Sequence, residues 1–392
     1  MRSCKFIFFL LMVLLLLSAC SVPNNTDVLP SAEPVAAVPT EKPTPEPTAK
    51  PTPEPTPTPS PEERLLSTMT LEEKVAQLFF ARCPDTGAEE MIAKLQPGAL
   101  LLFGRDFNGL TREEVAAKIG AYQQNAKIPL LIGVDEEGGT VARVSSNTQL
   151  SDIQFKSPRD LYAEGGTARL LDEEKRKCEL LKSLGIQVNF APVCDISDDP
   201  NGFMYLRSLG LPAENTADVI GQMVSLYETE KTGCVLKHFP GYGNADDTHK
   251  GMVYDDRPYE VFETEDFLPF KSGIAAGADC VMVTHTVVSC VDVEKPASLS
   301  EKWYSVLRND LGFSGVMITD DLEMEAITEY TESSSAAVDA VLAGCDMLCS
   351  SDFAVQYEAV LEAVKAEEIT ESRINESVLR VLRWKLELGL ME

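Results

Sequence analysis

The sequence predicts an α/β fold in which a single (β/α)8 TIM barrel follows a disordered N-terminal spacer. The composition is that of a globular chain with a core, because 44% of the residues are apolar and 24% are charged. From residue 61 onward, short apolar runs alternate with longer segments of helical periodicity, which indicates parallel strands joined by crossover helices. Most of these runs also end in a polar residue of a catalytic type, and a barrel places its active site at the carboxyl ends of its strands. We therefore expect one catalytic barrel domain over residues 61–392.

The first twenty residues predict export and lipid anchoring. Arg2 and Lys5 precede an apolar run that is too short to span a bilayer as a helix. The run ends in Leu17-Ser-Ala-Cys20, which resembles the bacterial lipobox, in which the cysteine is acylated and becomes the new N-terminus. We therefore expect a lipoprotein signal peptide at residues 1–19, lipidation of Cys20 and an extracytoplasmic protein anchored to the cell membrane. An ordinary cleaved signal peptide is the alternative.

Residues 20–60 predict a linker that begins at the lipidated cysteine. Residues 21–60 contain twelve of the 24 prolines of the chain and almost no large apolar side chain. Such a segment favours extended polyproline-like conformations and has nothing to bury in a core. We expect this Pro/Thr-rich spacer to hold the catalytic domain away from the membrane.

The formal net charge of −28 limits the possible partners. Nucleic acid and anionic lipid surfaces would repel so acidic a chain unless it carried a compensating basic patch, and the sequence has none. We therefore expect no nucleic-acid partner, and membrane affinity that comes from the acyl chains of the anchor. The oligomeric state is left open.

The cysteine pattern predicts free thiols and no metal site. An exported protein with eight cysteines beyond residue 60 would ordinarily form disulfides. Most of these cysteines, however, lie within apolar runs, which favours buried free thiols. Cys345 and Cys349 lack the paired spacing and histidine companions of a zinc site.

Elements can be assigned along the chain from residue 70. Thr70-Leu-Glu-Glu73 has the form of a capping box and opens a helical run to Phe80. Seven apolar runs predict strands, at 99–103, 130–135, 187–193, 234–238, 280–285, 315–320 and 346–350. Helical periodicity marks 112–124, 217–232, 260–276 and 301–311. The eighth strand is not assigned, which a degenerate strand would explain.

Candidate catalysts stand at the ends of these predicted strands. Asp135, Lys237-His238, His285 and Asp320-Asp321 each close an apolar run. The chain has three histidines, and the third, His249, follows one of these strand ends within a short loop. Any single one of these histidines could be a hydrogen-bonded structural residue. Three histidines at one rim are not explained in that way, so we expect an active site there.

The motifs around these residues resemble family 3 glycoside hydrolases of the bacterial β-N-acetylglucosaminidase (β-N-acetylhexosaminidase) branch. They are Leu131–Gly139 (LIGVDEEGG) with Arg143, Asn189–Val193 (NFAPV), Lys237–Gly243 (KHFPGYG) with Asp247-Thr-His249, and Gly315–Met324 (GVMITDDLEM). The resemblance extends from about Thr70 to Leu388. It implies a TIM-barrel hydrolase, without a cofactor, that releases terminal β-linked N-acetylglucosamine, commonly from muropeptides or peptidoglycan fragments.

The chemistry of a retaining glycosidase assigns roles to these residues. Such an enzyme needs a carboxylate nucleophile below the anomeric carbon and a proton donor for the leaving oxygen. Asp320 matches the family nucleophile, and strand alternation predicts that only one of Asp320 and Asp321 faces the pocket, with N-capping as the expected role of Asp321. The resemblance also implies a His–Asp acid/base dyad on a flexible loop, which His249 and Asp247 match. Asp247 would orient the imidazole and raise its basicity.

Five further residues match sugar-binding positions of the family. These are Asp135, Arg143, Arg207, Lys237 and His238. An Asp beside Lys and His grips vicinal hydroxyls through charge-assisted hydrogen bonds.

Two departures from familiar motifs affect what can be expected of the pocket. Glu137-Gly138-Gly139 lacks the context of a phosphate-binding loop, so a tight turn is the interpretation. Tyr242 stands where many relatives have a histidine, which leaves the aglycone preference open.

Two other functions remain open from the sequence. A histidine acid/base leaves no fixed carboxylate near the incoming nucleophile, so phosphate could approach the glycosyl-enzyme in place of water. The alternative within enzymes is therefore a β-N-acetylglucosaminide phosphorylase or another family 3 β-glycosidase. A non-catalytic sugar-binding lipoprotein is a distant alternative, because exported lipoproteins with spacers often serve transporters. Neither the natural aglycone nor the choice between hydrolysis and phosphorolysis follows from the residues.

Overall fold

The computed structural model describes residues 58–392. The predicted signal peptide, the Cys20 lipidation site and most of the predicted linker lie outside the described residues. In the described part, no helix is both long enough and apolar enough to cross a bilayer.

Eight parallel strands form one sheet that runs around the domain in chain order. We number them β1 (Phe79–Arg82), β2 (Ala99–Leu102), β3 (Leu131–Val134), β4 (Val188–Asn189), β5 (Gly233–Phe239), β6 (Cys280–Val283), β7 (Val316–Thr319) and β8 (Leu348–Ser350). β1 pairs with β8, where Phe79 lies opposite Leu348. A parallel bridge between Ile318 and Met347 joins β7 to β8 and completes the ring. The predicted (β/α)8 barrel is therefore confirmed.

Thirteen helices of the described chain surround or flank this sheet. They are α1 (Pro61–Leu66), α2 (Leu71–Gln77), α3 (Ala88–Leu95), α4 (Arg112–Asn125), α5 (Pro158–Ser183), α6 (Ala213–Glu230), α7 (Tyr259–Val261), α8 (Phe267–Ala275), α9 (Glu301–Ser305), α10 (Glu325–Thr328), α11 (Ser333–Ala343), α12 (Phe353–Lys365) and α13 (Glu371–Glu387). Two π-helical turns, Phe262–Asp266 and Val306–Asp310, continue α7 into α8 and extend α9. The four predicted helices are all present, whereas α5 was not assigned from the sequence.

The unassigned strand is β1, and it corrects the predicted helix that ran to Phe80. The Thr70 capping box is present, but α2 ends at Gln77 and the chain is extended from Phe79. Phe79 and Phe80 are both fully buried. A strand of a parallel barrel is covered on both faces, so its sequence is a continuous apolar run that periodicity cannot distinguish from the last turn of a buried helix.

The barrel interior is packed with side chains from all eight strands. Phe80 of β1 meets Phe190 edge to face, with ring centroids 4.9 Å apart. Gly133 of β3 makes this pair possible, because a Cβ there would lie 2.6 Å from the Phe80 ring. Trp384 of α13 belongs to the same buried cluster.

A buried carboxylate fixes α13 beside β7. Asp346 accepts hydrogen bonds from the Arg308 guanidinium at 2.6 Å, from Arg380 at 2.9 Å and from the Ser377 hydroxyl at 2.8 Å. It also accepts from the backbone amide of Met317 at 3.1 Å. A buried charge is tolerated when it is paired and hydrogen-bonded in this way.

The eight cysteines of the described chain are free, as predicted. Seven are buried and Cys290 is half-buried. Burial raises the pKa of the Cys83 thiol to about 11, which keeps it neutral.

Candidate active site

A cavity of about 690 Å³ opens at the carboxyl ends of the barrel strands. It is lined by seven of the eight residues to which the sequence assigned catalysis or sugar binding: Asp135, Arg143, Arg207, Lys237, His238, His249 and Asp320. The eighth, Asp247, does not line the cavity but contacts His249. The structure thus brings the eight side chains that were assigned to catalysis or sugar binding together at one rim of the barrel.

Lys237 at the end of β5 is the centre of a buried ionic network. Its ammonium lies 2.7 Å from Asp135 Oδ1 and 2.7 Å from Glu137 Oε1, and only 2% of its side chain is exposed. Arg207 donates to both oxygens of Glu137, at 2.7 and 2.9 Å. The network contains two cations and two carboxylates, which balances its charge.

The charges of this network hold each other in the ionised state. Burial by itself would raise the pKa of Glu137, but Arg207 and Lys237 outweigh it and hold the pKa well below its usual range. Burial would likewise lower the pKa of Lys237, but Asp135 and Glu137 raise it. Asp135 Oδ2 accepts no hydrogen bond from the described residues, which leaves it free for a sugar hydroxyl.

Glu137 is a site residue that the sequence interpretation missed. The expected tight turn is present, because Gly138 and Gly139 have φ of +98° and +61°. A Cβ on Gly138 would lie 2.1 Å from the carbonyl oxygen of Lys156. The turn carries the Glu137 carboxylate to Arg207, a partner 70 positions away, and nothing in the local sequence indicates that pairing.

His238 is oriented by Asp195, a second residue that the sequence interpretation missed. His238 Nδ1 lies 2.7 Å from Asp195 Oδ2, so the ring donates from Nδ1 and presents Nε2 as an acceptor. Arg207 Nη2 lies 3.3 Å from that Nε2. The other Asp195 oxygen accepts from the Tyr242 amide at 2.8 Å. Asp195 lies two residues after the Asn189–Val193 segment, much as Asp135 directly follows β3. This position after a predicted strand is the sequence signal that could have identified Asp195 as a site residue.

Asp320 lies immediately after β7, where it is half-buried and lines the cavity. Its Oδ1 accepts a hydrogen bond from the Asp321 amide at 2.8 Å. Burial would raise the pKa of Asp320, but the nearby imidazoles of His285, His238 and His249 and the Asp321 amide lower it below its ordinary value. Asp320 is therefore a carboxylate at neutral pH.

Asp321 differs from its expected role in two respects. It lines the cavity together with Asp320, because β7 ends at Thr319 and strand alternation does not extend to the two acids. It accepts from the amides of Glu323 and Ser351, each at 3.1 Å, and so caps a turn before α10 rather than the helix itself.

His285 does not line the cavity. Its Nε2 donates to the carbonyl oxygen of Asp321 at 2.9 Å, and its Nδ1 accepts from the Ser298 hydroxyl at 2.7 Å. Burial lowers the pKa of His285, whereas Asp320 and the Asp321 carbonyl oppose that effect, and the ring supports the Asp320–Asp321 segment.

The predicted dyad is formed on a single turn. Asp247 Oδ1 lies 2.8 Å from His249 Nδ1 and 3.0 Å from the His249 amide nitrogen. Burial would raise the pKa of Asp247, but the hydrogen bonds from His249 lower it, so Asp247 is ionised. The His249 side chain is 57% exposed, and its Nε2 has no hydrogen-bond partner among residues 58–392.

Tyr242 connects this turn to the sugar-binding side of the cavity. Its hydroxyl hydrogen-bonds to Thr248 Oγ1 at 2.5 Å, between the two members of the dyad. Its ring meets His238 edge to face, with centroids 5.2 Å apart. Phe203 contacts the rings of both Tyr242 and His249.

Within residues 58–392, no group of three or more His, Cys, Asp or Glu side chains is arranged to hold a metal ion. The cavity instead presents an ionised carboxylate, a half-exposed imidazole backed by a second carboxylate, and fixed donors and acceptors. This set suits acid/base and nucleophilic chemistry on a polyhydroxylated substrate.

Comparison with known proteins agrees with this geometry. Residues 70–384 match the model of the glycosyl hydrolase family 3 N terminal domain. A β-hexosaminidase of Xanthomonas campestris pv. campestris is 34% identical over 273 residues, which cover 68% of this chain and 80% of the relative. A β-hexosaminidase of Nitrosomonas eutropha is 32% identical over 262 residues, 64% of this chain and 72% of the relative.

A solved structure is also similar. The family 3 β-N-acetylglucosaminidase of Paenibacillus sp. FPU-7 superposes with a TM-score of 0.77 at 32% identity and 82% coverage of this chain. The present chain spans 63% of the length of that protein. A non-catalytic sugar-binding lipoprotein is accordingly set aside: the chain belongs to glycosyl hydrolase family 3 and is a glycoside hydrolase.

Proposed function

We propose that this protein is a retaining exo-β-N-acetylglucosaminidase that removes terminal non-reducing β-linked N-acetylglucosamine from peptidoglycan-derived muropeptides. The observation that carries the proposal is the convergence of ionised Asp320 and the Asp247–His249 pair on one cavity. The β-hexosaminidase names of the relatives support N-acetylglucosamine as the released sugar.

In the first half of the proposed reaction, Asp320 attacks the anomeric carbon. A bond forms between C1 and the Asp320 carboxylate oxygen as the bond from C1 to the leaving oxygen breaks. His249 gives its Nε2 proton to the leaving oxygen and becomes neutral. The net charge of the Asp247–His249 pair changes from 0 to −1.

In the second half, water completes the reaction. Neutral His249 takes a proton from a water molecule, which attacks C1 and breaks the ester to Asp320. The pair returns to zero net charge, and two inversions at C1 retain the β configuration.

The buried ionic network supplies sugar recognition that is fixed before binding. Asp135 and Lys237 are held 2.7 Å apart, and the His238 tautomer is set by Asp195. Binding therefore costs little reorganisation of these side chains.

Phosphorolysis is the second candidate, and the dyad is the observation that favours it. The only carboxylate that contacts His249 within the described chain, Asp247, lies behind the ring and does not line the cavity. The attacking anion therefore meets an imidazole rather than a fixed carboxylate at that position.

Turnover of chromogenic substrates tests the proposed function. We expect hydrolysis of 4-nitrophenyl β-N-acetylglucosaminide and at least about tenfold lower kcat/KM on the matching glucoside, because the pocket must recognise the acetamido group. Product analysis with added phosphate decides between free N-acetylglucosamine and its 1-phosphate. Equal turnover of both glycosides contradicts the sugar assignment.

Substitution of Asp320 tests the nucleophile. Asp320→Asn preserves shape but removes the attacking charge, so kcat should fall by at least about a thousandfold. The matched control is Asp321→Asn, the adjacent carboxylate at the same cavity, for which we expect a much smaller loss. Activity of Asp320→Asn close to that of the wild type would exclude Asp320 as nucleophile.

Leaving-group and pH dependence test the dyad. His249→Ala should slow substrates with poor leaving groups far more than a 4-nitrophenyl substrate, because a good leaving group needs no proton. Azide should rescue this variant by attacking the Asp320-linked sugar. Equal losses across leaving groups, or no rescue on an activated substrate that accumulates the intermediate, argue against acid catalysis by His249.

The same dyad predicts the direction of a pH shift. The Asp247 carboxylate stabilises protonated His249, so Asp247→Asn should move the alkaline limb of the kcat/KM profile to lower pH. The double variant should lose little more than the worse single variant, because the two residues act as a unit. Losses that simply add would contradict coupling.

We also propose that Cys20 anchors the protein to the extracytoplasmic face of the cell membrane. Cys20→Ala should shift the protein from the membrane fraction to the soluble fraction or block its maturation. Deleting residues 21–60 provides the control and should leave turnover of small soluble substrates unchanged. A Cys20→Ala protein that stays in the membrane fraction with a cleaved, unacylated terminus would refute lipidation.

A further inference from the structure

One side of the active-site cavity carries two arginines that form no ion pair. Four cationic side chains line the cavity in addition to its histidines: Arg82, Arg143, Arg207 and Lys237. Arg207 and Lys237 are paired with carboxylates, as described above. Neither Arg82 nor Arg143 forms an ion pair with any of residues 58–392.

One of the two unpaired arginines lies over an aromatic ring. Arg82 ends β1, and its guanidinium carbon lies 4.3 Å from the centroid of the Phe103 ring, which follows β2. Arg82, Phe103 and Arg143 all line the cavity, and we call these three residues the arginine wall.

The guanidinium of Arg82 has unused hydrogen-bonding capacity. Its one side-chain hydrogen bond to the described residues is from Nη1 to Ser351 Oγ, at a long 3.4 Å. Nη2 donates to none of these residues, and Nε is buried without a partner. Arg143 Nε is also buried without a partner. Leaving donors of a charged group unsatisfied is unfavourable, and a ligand that accepts from Arg82 recovers part of that cost.

The cavity around these two arginines is rich in carboxylates, so it is unusual that neither arginine forms an ion pair among the described residues. Six carboxylates line the same cavity, namely Asp135, Glu137, Asp320, Asp321, Glu323 and Glu325. The whole chain has a net charge of −28. Asp321 comes near Arg82 through the shared partner Ser351, yet it pairs with the serine rather than with the guanidinium. Arg82 is thus kept available in a strongly acidic cavity.

We propose that the arginine wall binds an anionic group of the substrate, a carboxylate or a phosphate monoester, through Arg82. A planar guanidinium is suited to both groups, because its parallel donors match two oxygens of either anion. This inference rests on the proposed function, since it names the class of glycoside that the same cavity selects.

The topology separates this contact from the other substrate contacts. Arg82 lies on β1 and the dyad turn follows β5, which is four strands away in a ring of eight. Lys237 and His238 stand at the end of β5, and Arg207 stands between β4 and β5. The anion therefore binds on the opposite side of the cavity from the dyad and is carried either by the released sugar or by the sugar next to it.

Two matched substrate pairs test the proposal and distinguish these sources. The first is 4-nitrophenyl β-N-acetylglucosaminide and its 6-phosphate, in which the released sugar carries the anion. The second is N-acetylglucosaminyl-β-1,4-N-acetylmuramic acid and its methyl ester, in which the neighbouring sugar carries it. We expect the wild-type protein to prefer the anionic member of one pair by about tenfold or more in kcat/KM.

Arg82→Met removes the charge and retains an unbranched side chain against Phe103. It should abolish the anion preference while turnover of the neutral member stays within about twofold of the wild-type value, which also shows that the variant is folded. Arg82→Lys, which keeps the charge but loses the planar donors, should retain part of the preference. Arg105→Gln is the matched control, because Arg105 follows the neighbouring strand β2 but pairs with Asp85 at 2.8 Å and does not line the cavity.

Three results would overturn the inference: no anion preference in the wild-type protein, a preference that survives Arg82→Met, or equal losses on charged and neutral members. Failure of the proposed function is a separate outcome, seen as no turnover of any N-acetylglucosaminide. In that case, calorimetric binding of the charged and neutral members of both pairs to the wild-type and Arg82→Met proteins decides the inference. Selectivity of the wild type for the anionic member of one pair that is lost in the variant supports it, and equal affinities of the wild type for both members of each pair reject it.

Discussion

The site is organised around the buried ammonium of Lys237, which lies 2.7 Å from both Asp135 and Glu137. An unpaired ammonium could not remain charged at such burial, and an unpaired Glu137 would take up a proton. Their mutual contacts, with Arg207 on the far side of Glu137, keep Glu137, Lys237 and Arg207 ionised. Because the partners come from the ends of β3 and β5 and from the loop after β4, the network also sets how these strand ends lie relative to one another.

From this network, contacts continue toward the dyad turn. Arg207 reaches His238, Asp195 holds His238 and the Tyr242 amide, and the Tyr242 hydroxyl reaches Thr248 between the members of the dyad. The position of His249 is thus connected to the residues proposed to bind the sugar through a series of hydrogen bonds. The Tyr242 hydroxyl supplies the hydrogen-bonding group at this step, and burial raises the pKa of the phenol and keeps it neutral.

The sequence predicted the parts of this structure that depend on neighbours along the chain. Seven strands were visible as apolar runs, and Asp135, Lys237 and Asp320 were visible because they close such runs. β1 was missed because a strand buried on both faces has no alternation and directly follows a helix. Glu137 and Asp195 were missed as functional residues because their roles depend on Arg207 and His238, which are distant in sequence. The second acid at the end of β7 reached the cavity because the strand stops before it.

The different exposure of the two proposed catalytic groups follows from what each must do. Asp320 forms and breaks one bond with the sugar and gains from a fixed, half-buried position where imidazoles and an amide maintain its charge. His249 must give a proton to a group that then leaves and take one from a water molecule that then enters, so it needs access to solvent between the two steps. A half-exposed imidazole on a short turn, with a partly buried carboxylate behind it, meets that need. A carboxylic acid in the same place would have to be buried for its pKa to rise enough to hold a proton at neutral pH, and burial would deny it the access to solvent that both steps require.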